Sequence, residues 1–165
     1  MKNERLENRQ IEIERKFLVD TERLPGLAED FEQTKIRQGY MVLGADGSEA
    51  RVRDKGGVFS LTVKSKGDMT RGEWEIEIDE EQFLTLWPAT EGARVEKTRI
   101  KVLYEGYIIE VDVYDGDLYG LVTAEVEFDS ENEALDFVAP DWLKEDVTEI
   151  DAYKNQNLAC RNFSR

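Results

Sequence analysis

The chain has 165 residues, enough for one domain with its own core, and 40 % hydrophobic against 36 % charged residues describes a folded chain, not a disordered one. Asp and Glu number 37 against 22 Lys and Arg, and the resulting net charge of −15 excludes nucleic acid or an anionic membrane surface as the main partner, since both need excess positive charge. One cysteine (Cys160) and no histidine exclude an intrachain disulfide, a histidine-built zinc site and Ser-His or Cys-His nucleophiles.

Ile11 to Val19 alternates as a strand, with Glu12, Glu14 and Lys16 on one face and Ile11, Ile13 and Phe17 on the other. Asp20 to Gln33 reads as a loop with a helical turn. Thr34 to Leu43 is a second strand. Glu49 to Asp54 and Val58 to Lys64 flank a tight Lys55-Gly56-Gly57 connection, a hairpin signal. Arg71 to Asp79 alternates Trp74, Ile76 and Ile78 against Glu73, Glu75, Glu77 and Asp79. A short helix capped by Asp79 is predicted up to Trp87, with Phe83, Leu84 and Trp87 as its apolar stripe. Val95 to Leu103, Tyr107 to Tyr114 and Leu121 to Phe128 are three further strands. A helix capped by Ser130 runs to Val138, and a last helix is predicted within Asp151 to Cys160. Eight strands with short turns predict an antiparallel barrel or sandwich in a single domain, 1–165. No apolar run approaches the roughly 18 residues of a spanning helix, and the charged start is no signal peptide, so the expected location is cytoplasmic and no membrane partner is expected.

Taken at a spacing of two, the charged faces sort by sign. The acidic sets are Glu12/Glu14, Glu73/Glu75/Glu77, Glu110/Asp112 and Glu125/Glu127; the basic sets are Arg51/Arg53, Lys64/Lys66 and Lys97/Arg99/Lys101. For any one strand, an ordinary solvated face explains the alternation. It explains the whole set less well, because like charges at neighbouring positions repel and gain nothing on a plain surface. Acidic and basic strands facing an enclosed space would suit a metal-bound polyphosphate. Arg pairs bidentately with phosphate oxygens, and Mg²⁺ or Mn²⁺ takes carboxylate, water and phosphate oxygens. The spacing alone leaves open which face is inside.

Glu12-x-Glu14-x-Lys16 resembles the hallmark of the triphosphate tunnel metalloenzyme (CYTH) family. The similarity continues in order through Arg51-x-Arg53, Thr62-x-Lys64, Glu73-x-Glu75, Lys97-x-Arg99, Glu110-x-Asp112, Glu125-x-Glu127 and the tail Tyr153-Lys154-Asn155 with Leu158-Ala159. Arg37-Gln38-Gly39-Tyr40 and the string from Leu86 to Gly92 resemble its short bacterial members. The resemblance implies a mainly β fold of the α+β class: a closed eight-stranded antiparallel barrel with a charged tunnel and a few flanking helices. It turns Trp74, Ile76, Ile78, Val111 and Val113 outward, under helices or a partner subunit, and a homodimer is expected. By the same resemblance Glu12, Glu14, Glu125 and Glu127 would hold metal, with Glu75, Glu110 and Asp112 as further or water-mediated contacts. Lys16, Arg51, Arg53, Lys64, Lys97 and Arg99 would bind triphosphate, and Tyr40 is a candidate for placing a terminal phosphate. Lys16, Tyr40 and Lys97 are the residues assigned to catalysis.

The implied activity is hydrolysis of inorganic tripolyphosphate to pyrophosphate and phosphate with Mg²⁺ or Mn²⁺, two per site. One ion bridges phosphate oxygens and the second activates water in place of the missing histidine base. The alternatives are an organic triphosphate enzyme of the same family (adenylate cyclase, nucleoside triphosphatase or thiamine triphosphatase) and a polyphosphate-binding module without turnover. Cyclase-type members often carry a His-Phe pair before the first motif; this chain has no histidine.

Overall fold

The protein is described by a computed structural model covering residues 13–24, 31–65 and 73–160. Eight strands fall where alternation places them: β1 Ile13–Val19, β2 Gln33–Leu43, β3 Glu49–Lys55, β4 Val58–Lys64, β5 Glu73–Ile78, β6 Arg94–Tyr104, β7 Tyr107–Tyr114 and β8 Val122–Phe128. Gly56 and Gly57 both take positive φ, the backbone twist that a two-residue β3–β4 hairpin requires. Helix α1, Glu80–Leu86, is capped by Asp79, whose side chain accepts from the Gln82 backbone while Gln82 Oε1 accepts from the Asp79 backbone. Helix α2, Glu131–Asp136, starts at the Ser130 cap. The predicted tail helix is two pieces, a 3₁₀ turn over Asp151–Tyr153 and α3 over Asn155–Ala159.

A ninth strand, β9 Leu143–Asp146, was not anticipated. The strands form one antiparallel sheet in the order β5-β4-β3-β2-β6-β7-β8-β1-β9. Among the described residues no ladder joins β5 to β9, so the nine strands form one sheet that hydrogen bonds do not close, and the expected closed eight-stranded barrel is not shown. The reason lies at the free edge of β1. The Asp20 amide donates to the Trp142 carbonyl, the Lys16 amide to Thr148 Oγ1, and the Val147 amide to the Lys16 carbonyl. With those groups occupied by the 142–148 segment, β1 has no edge left for β5.

The main apolar core lies on one face of β1, β6, β7 and β8. There Phe17, Ile100, Val102, Ile109, Val111, Val126 and Phe128 pack under Leu24, Ala134, Phe137, Trp142 and Leu143. Val111 and Val113 face outward into this cluster, as expected. Farther along the same face Phe83 of α1 stacks with Phe59 and Trp87. Trp74 and Ile76 stay 57 % and 58 % exposed. A smaller cluster of Tyr40, Val95, Tyr114, Leu118, Leu158 and Ala159 seats α3 at one end of the opposite face.

Candidate active site

Directly paired residues in an antiparallel sheet point to the same side, so strand register decides which side chains share a face. Tyr40, Arg51, Thr62 and Glu75 form one cross-strand row over β2 to β5. Thr34, Arg99, Asp112, Thr123 and Leu18 form another over β2, β6, β7, β8 and β1, and Lys101, Glu110, Glu125 and Lys16 the next. Glu14 lies directly opposite Glu127. All predicted site residues within the described segments therefore share the face opposite the apolar core. Glu12 lies outside the described residues, as does Lys66.

Across this face a basic centre lies between two acidic flanks. Acid on β5 (Glu73, Glu75) gives way to Lys64 on β4, Arg51 and Arg53 on β3, Gln38 and Tyr40 on β2, and Lys97 and Arg99 on β6. Acid returns on β7 and β8, and β1 adds Glu14 and Lys16. Several of these groups are hidden from water: Lys16, Gln38, Glu49, Ser60, Thr62, Lys97, Asp112 and Thr123 are all buried. A solvated face would not bury them.

Arg99 binds Asp112 through Nε at 2.7 Å and Nη2 at 2.8 Å, reaches Glu125 at 2.8 Å, and also pairs with Glu110. These carboxylates push its ionisation upward, so it is a permanent cation. Lys97 Nζ sits 2.6 Å from Asp112 and over the Tyr114 ring, and burial pulls its pKa downward against these anions. Glu125 accepts from Lys16 at 3.1 Å; Lys97, Lys16 and Arg99 outweigh its burial and hold it at about 2. Burial pushes the Tyr40 phenol up to about 12, so it is a hydroxyl at neutral pH, and it accepts from Gln38 Nε2 at 2.7 Å. Burial and neighbouring Arg51 lower the pKa of Arg53, which reaches Glu75 at 3.4 Å; Lys64 reaches Glu73 at 3.2 Å. Arg51 pairs with Glu49 at 3.7 Å, and its buried Nε has no hydrogen-bond partner among the described residues. An orphaned guanidinium donor on this face invites an anion.

For a divalent cation, the donor chemistry fits: every candidate is a carboxylate, and Glu14 opposite Glu127 and Glu110 opposite Glu125 are like-charged cross-strand pairs that a cation between them would stabilise. Among the described residues no three acids converge closely enough to hold an ion.

A family model for the CYTH domain matches residues 10–157. The chain belongs to the CYTH family. Its relatives include an inorganic triphosphatase of Nitrosomonas europaea, 48 % identical over 149 residues that cover 90 % of this chain and 96 % of the relative. An inorganic triphosphatase of Acetivibrio thermocellus is 40 % identical over 152 residues, 89 % of this chain and 92 % of that protein. The crystal structure of an inorganic triphosphatase superposes with a TM-score of 0.73 at 45 % identity, covering 91 % of this chain and 95 % of that one. A putative adenylate cyclase of Bacillus halodurans has a TM-score of 0.55 at 22 % identity, covering 76 % of this chain and 84 % of that one, and shares the fold alone.

Within this CYTH chain the structure separates groups that spacing treated alike. Arg51, Arg53 and Lys64 lie on the β3–β4 half, whereas Lys97 is packed beneath Arg99 with Asp112. Gln38, Glu49, Ser60, Thr123 and Tyr114 belong to the same face and were not singled out from the sequence. Gln38 could have been found from its spacing of two from Tyr40, and Thr123 from Glu125; Glu49 is likewise two residues before Arg51.

Proposed function

We propose that the protein hydrolyses inorganic tripolyphosphate to pyrophosphate and phosphate on the charged face. The observation carrying this reading is the basic centre of Arg51, Arg53, Lys64 and Arg99 between two acidic flanks, with a buried Arg51 Nε that meets no acceptor among the described residues. Support also comes from the two inorganic triphosphatases at 48 % and 40 % identity.

In this reading Arg51, Arg53, Lys64, Arg99 and Lys16 grip the three phosphoryl groups, and Lys97 adds positive charge from below. Tyr40, protonated at neutral pH, donates its hydroxyl hydrogen to a terminal phosphate oxygen. Glu12, Glu14, Glu125 and Glu127 hold divalent metal, with Glu75, Glu110 and Asp112 around them. Mg²⁺ or Mn²⁺ held there, two per site in this reading, would supply charge neutralisation and an acidified attacking water. Water oxygen bonds to a terminal phosphorus and gives up a proton to solvent, the P–O–P bridge breaks and pyrophosphate leaves; the fixed cations offset the charge that develops on the departing oxygen. The sheet curls about the substrate as a tunnel, the whole of 1–165 acts as one cytoplasmic domain, and exposed Trp74 and Ile76 lie in a homodimer contact.

Phosphate release from tripolyphosphate, ATP and thiamine triphosphate with Mg²⁺ or Mn²⁺, with chromatography for cyclic AMP, tests the reading. Tripolyphosphate is expected to give the highest kcat/KM. Preference for ATP or thiamine triphosphate, cyclic AMP formation, or binding without turnover overturns it in favour of the corresponding alternative.

A further inference from the structure

Asp112 has no exposed surface. Its Oδ2 accepts from Lys97 Nζ at 2.6 Å and Arg99 Nη2 at 2.8 Å, while Oδ1 accepts from Arg99 Nε at 2.7 Å. One carboxylate thus fixes the plane of a guanidinium and the position of an ammonium. Its cross-strand neighbours are Arg99 and Thr123, neither of them acidic, whereas Glu110 faces Glu125 and Glu14 faces Glu127. A cation shared between carboxylates belongs in those glutamate rows. The Asp112 oxygens are already taken by three charged donors, and no surface of the residue is open to a hydrated ion.

Below the pair, Lys97 lies 5.5 Å from the Tyr114 ring centre. The Tyr114 hydroxyl donates to Asn155 Oδ1 at 3.3 Å and accepts from Thr123 Oγ1 at 3.4 Å. Leu158 and Ala159 of α3 pack on the same tyrosine. The clamp therefore stands on the fully buried Tyr114 ring.

We propose that Asp112 is a positioning residue: a buried anion that holds Arg99, with Lys97 beneath it, in the orientation in which the guanidinium meets a polyphosphate, and not a metal ligand. This rests on the triphosphate reading above. The role has a counterintuitive sign. Removing a negative charge beside an anion site strengthens anion binding if that charge merely opposes the ligand; removing a clamp weakens it.

The test is done without metal. Wild-type protein and D112N are melted in EDTA over a tripolyphosphate titration. Wild type is expected to show a rise in Tm with tripolyphosphate, and D112N a half-saturating concentration raised about tenfold or more, the size of a lost charged hydrogen bond. If D112N fails to fold, D112E keeps the charge but displaces the carboxylate by one methylene, leaves Lys97 and Arg99 in place, and carries the same expectation. A wild-type shift that is kept or enlarged in the variant overturns the clamp and leaves the phosphate grip standing. No wild-type shift removes the grip, and the clamp with it.

Discussion

Gly39 lies on β2 between Gln38 and Tyr40, and its own face turns toward the core side, against the 3₁₀ turn at Trp87–Thr90. A Cβ added there would stand 2.4 Å from Thr90 Oγ1, 2.5 Å from its Cβ and 2.7 Å from its Cγ2. Thr90 cannot swing away: it is fully buried, donates to the Trp87 carbonyl at 2.7 Å, and accepts from Arg94 Nε at 2.9 Å. The substitution G39A therefore overpacks a pinned site and breaks one bond to a charged donor, together about 3 kcal/mol. For a chain of this size that is a Tm loss of roughly 6–12 °C. G57A is the control: Gly57 has φ 89 and nothing within 4 Å of an added Cβ, so only the left-handed conformation of an L-residue is charged against it, about 1 kcal/mol. Calorimetry of the two variants decides the matter. Equal losses, or a G39A protein melting within about 1 °C of wild type, would refute the packing of β2 against Thr90.

Glu125 gives a pH dependence with a definite sign. Held at about 2, below its ordinary value, it stabilises the fold above about pH 4.5 and loses that contribution as pH falls toward 2, an amplitude of about 3 kcal/mol for the metal-free protein. Chemical denaturation at pH 7, 4 and 3 measures it, and E125Q should flatten the acid limb. E14Q is expected to abolish metal-dependent phosphate release with the circular dichroism spectrum unchanged; undiminished turnover would remove Glu14 from the metal site. D79A deletes the α1 cap and should cost about 1 kcal/mol, measured as a Tm loss of roughly 2–4 °C without loss of activity.

Strand alternation was legible because a sheet with one apolar and one charged face writes its period directly into the sequence, and β1 to β8 follow it closely. Helices α1 and α2 were legible from their Asp79 and Ser130 caps. β9 was not: Leu143–Asp146 is four residues, three of them charged, and it becomes a strand only because β1 offers an edge. The same strand takes up hydrogen-bonding groups at the edge of β1 that the number of predicted strands had left unassigned. On the charged face, the sorting by sign carried over intact, but depth did not. Lys97-x-Arg99 and Glu110-x-Asp112 look like two equivalent pairs in sequence. Folding places Lys97 and Asp112 below Arg99, since Tyr114, Thr123 and α3 close that end while Glu110 remains partly open.

A crystal of the protein grown with tripolyphosphate and Mn²⁺, with anomalous scattering to locate the metal, bears on the charged face without intermediaries. The expected density has phosphoryl oxygens against Arg51, Arg53 and Arg99 and manganese beside Glu14, Glu125 and Glu127. Polyphosphate bound on the Trp74–Ile76 side, or manganese away from these glutamates, would contradict it.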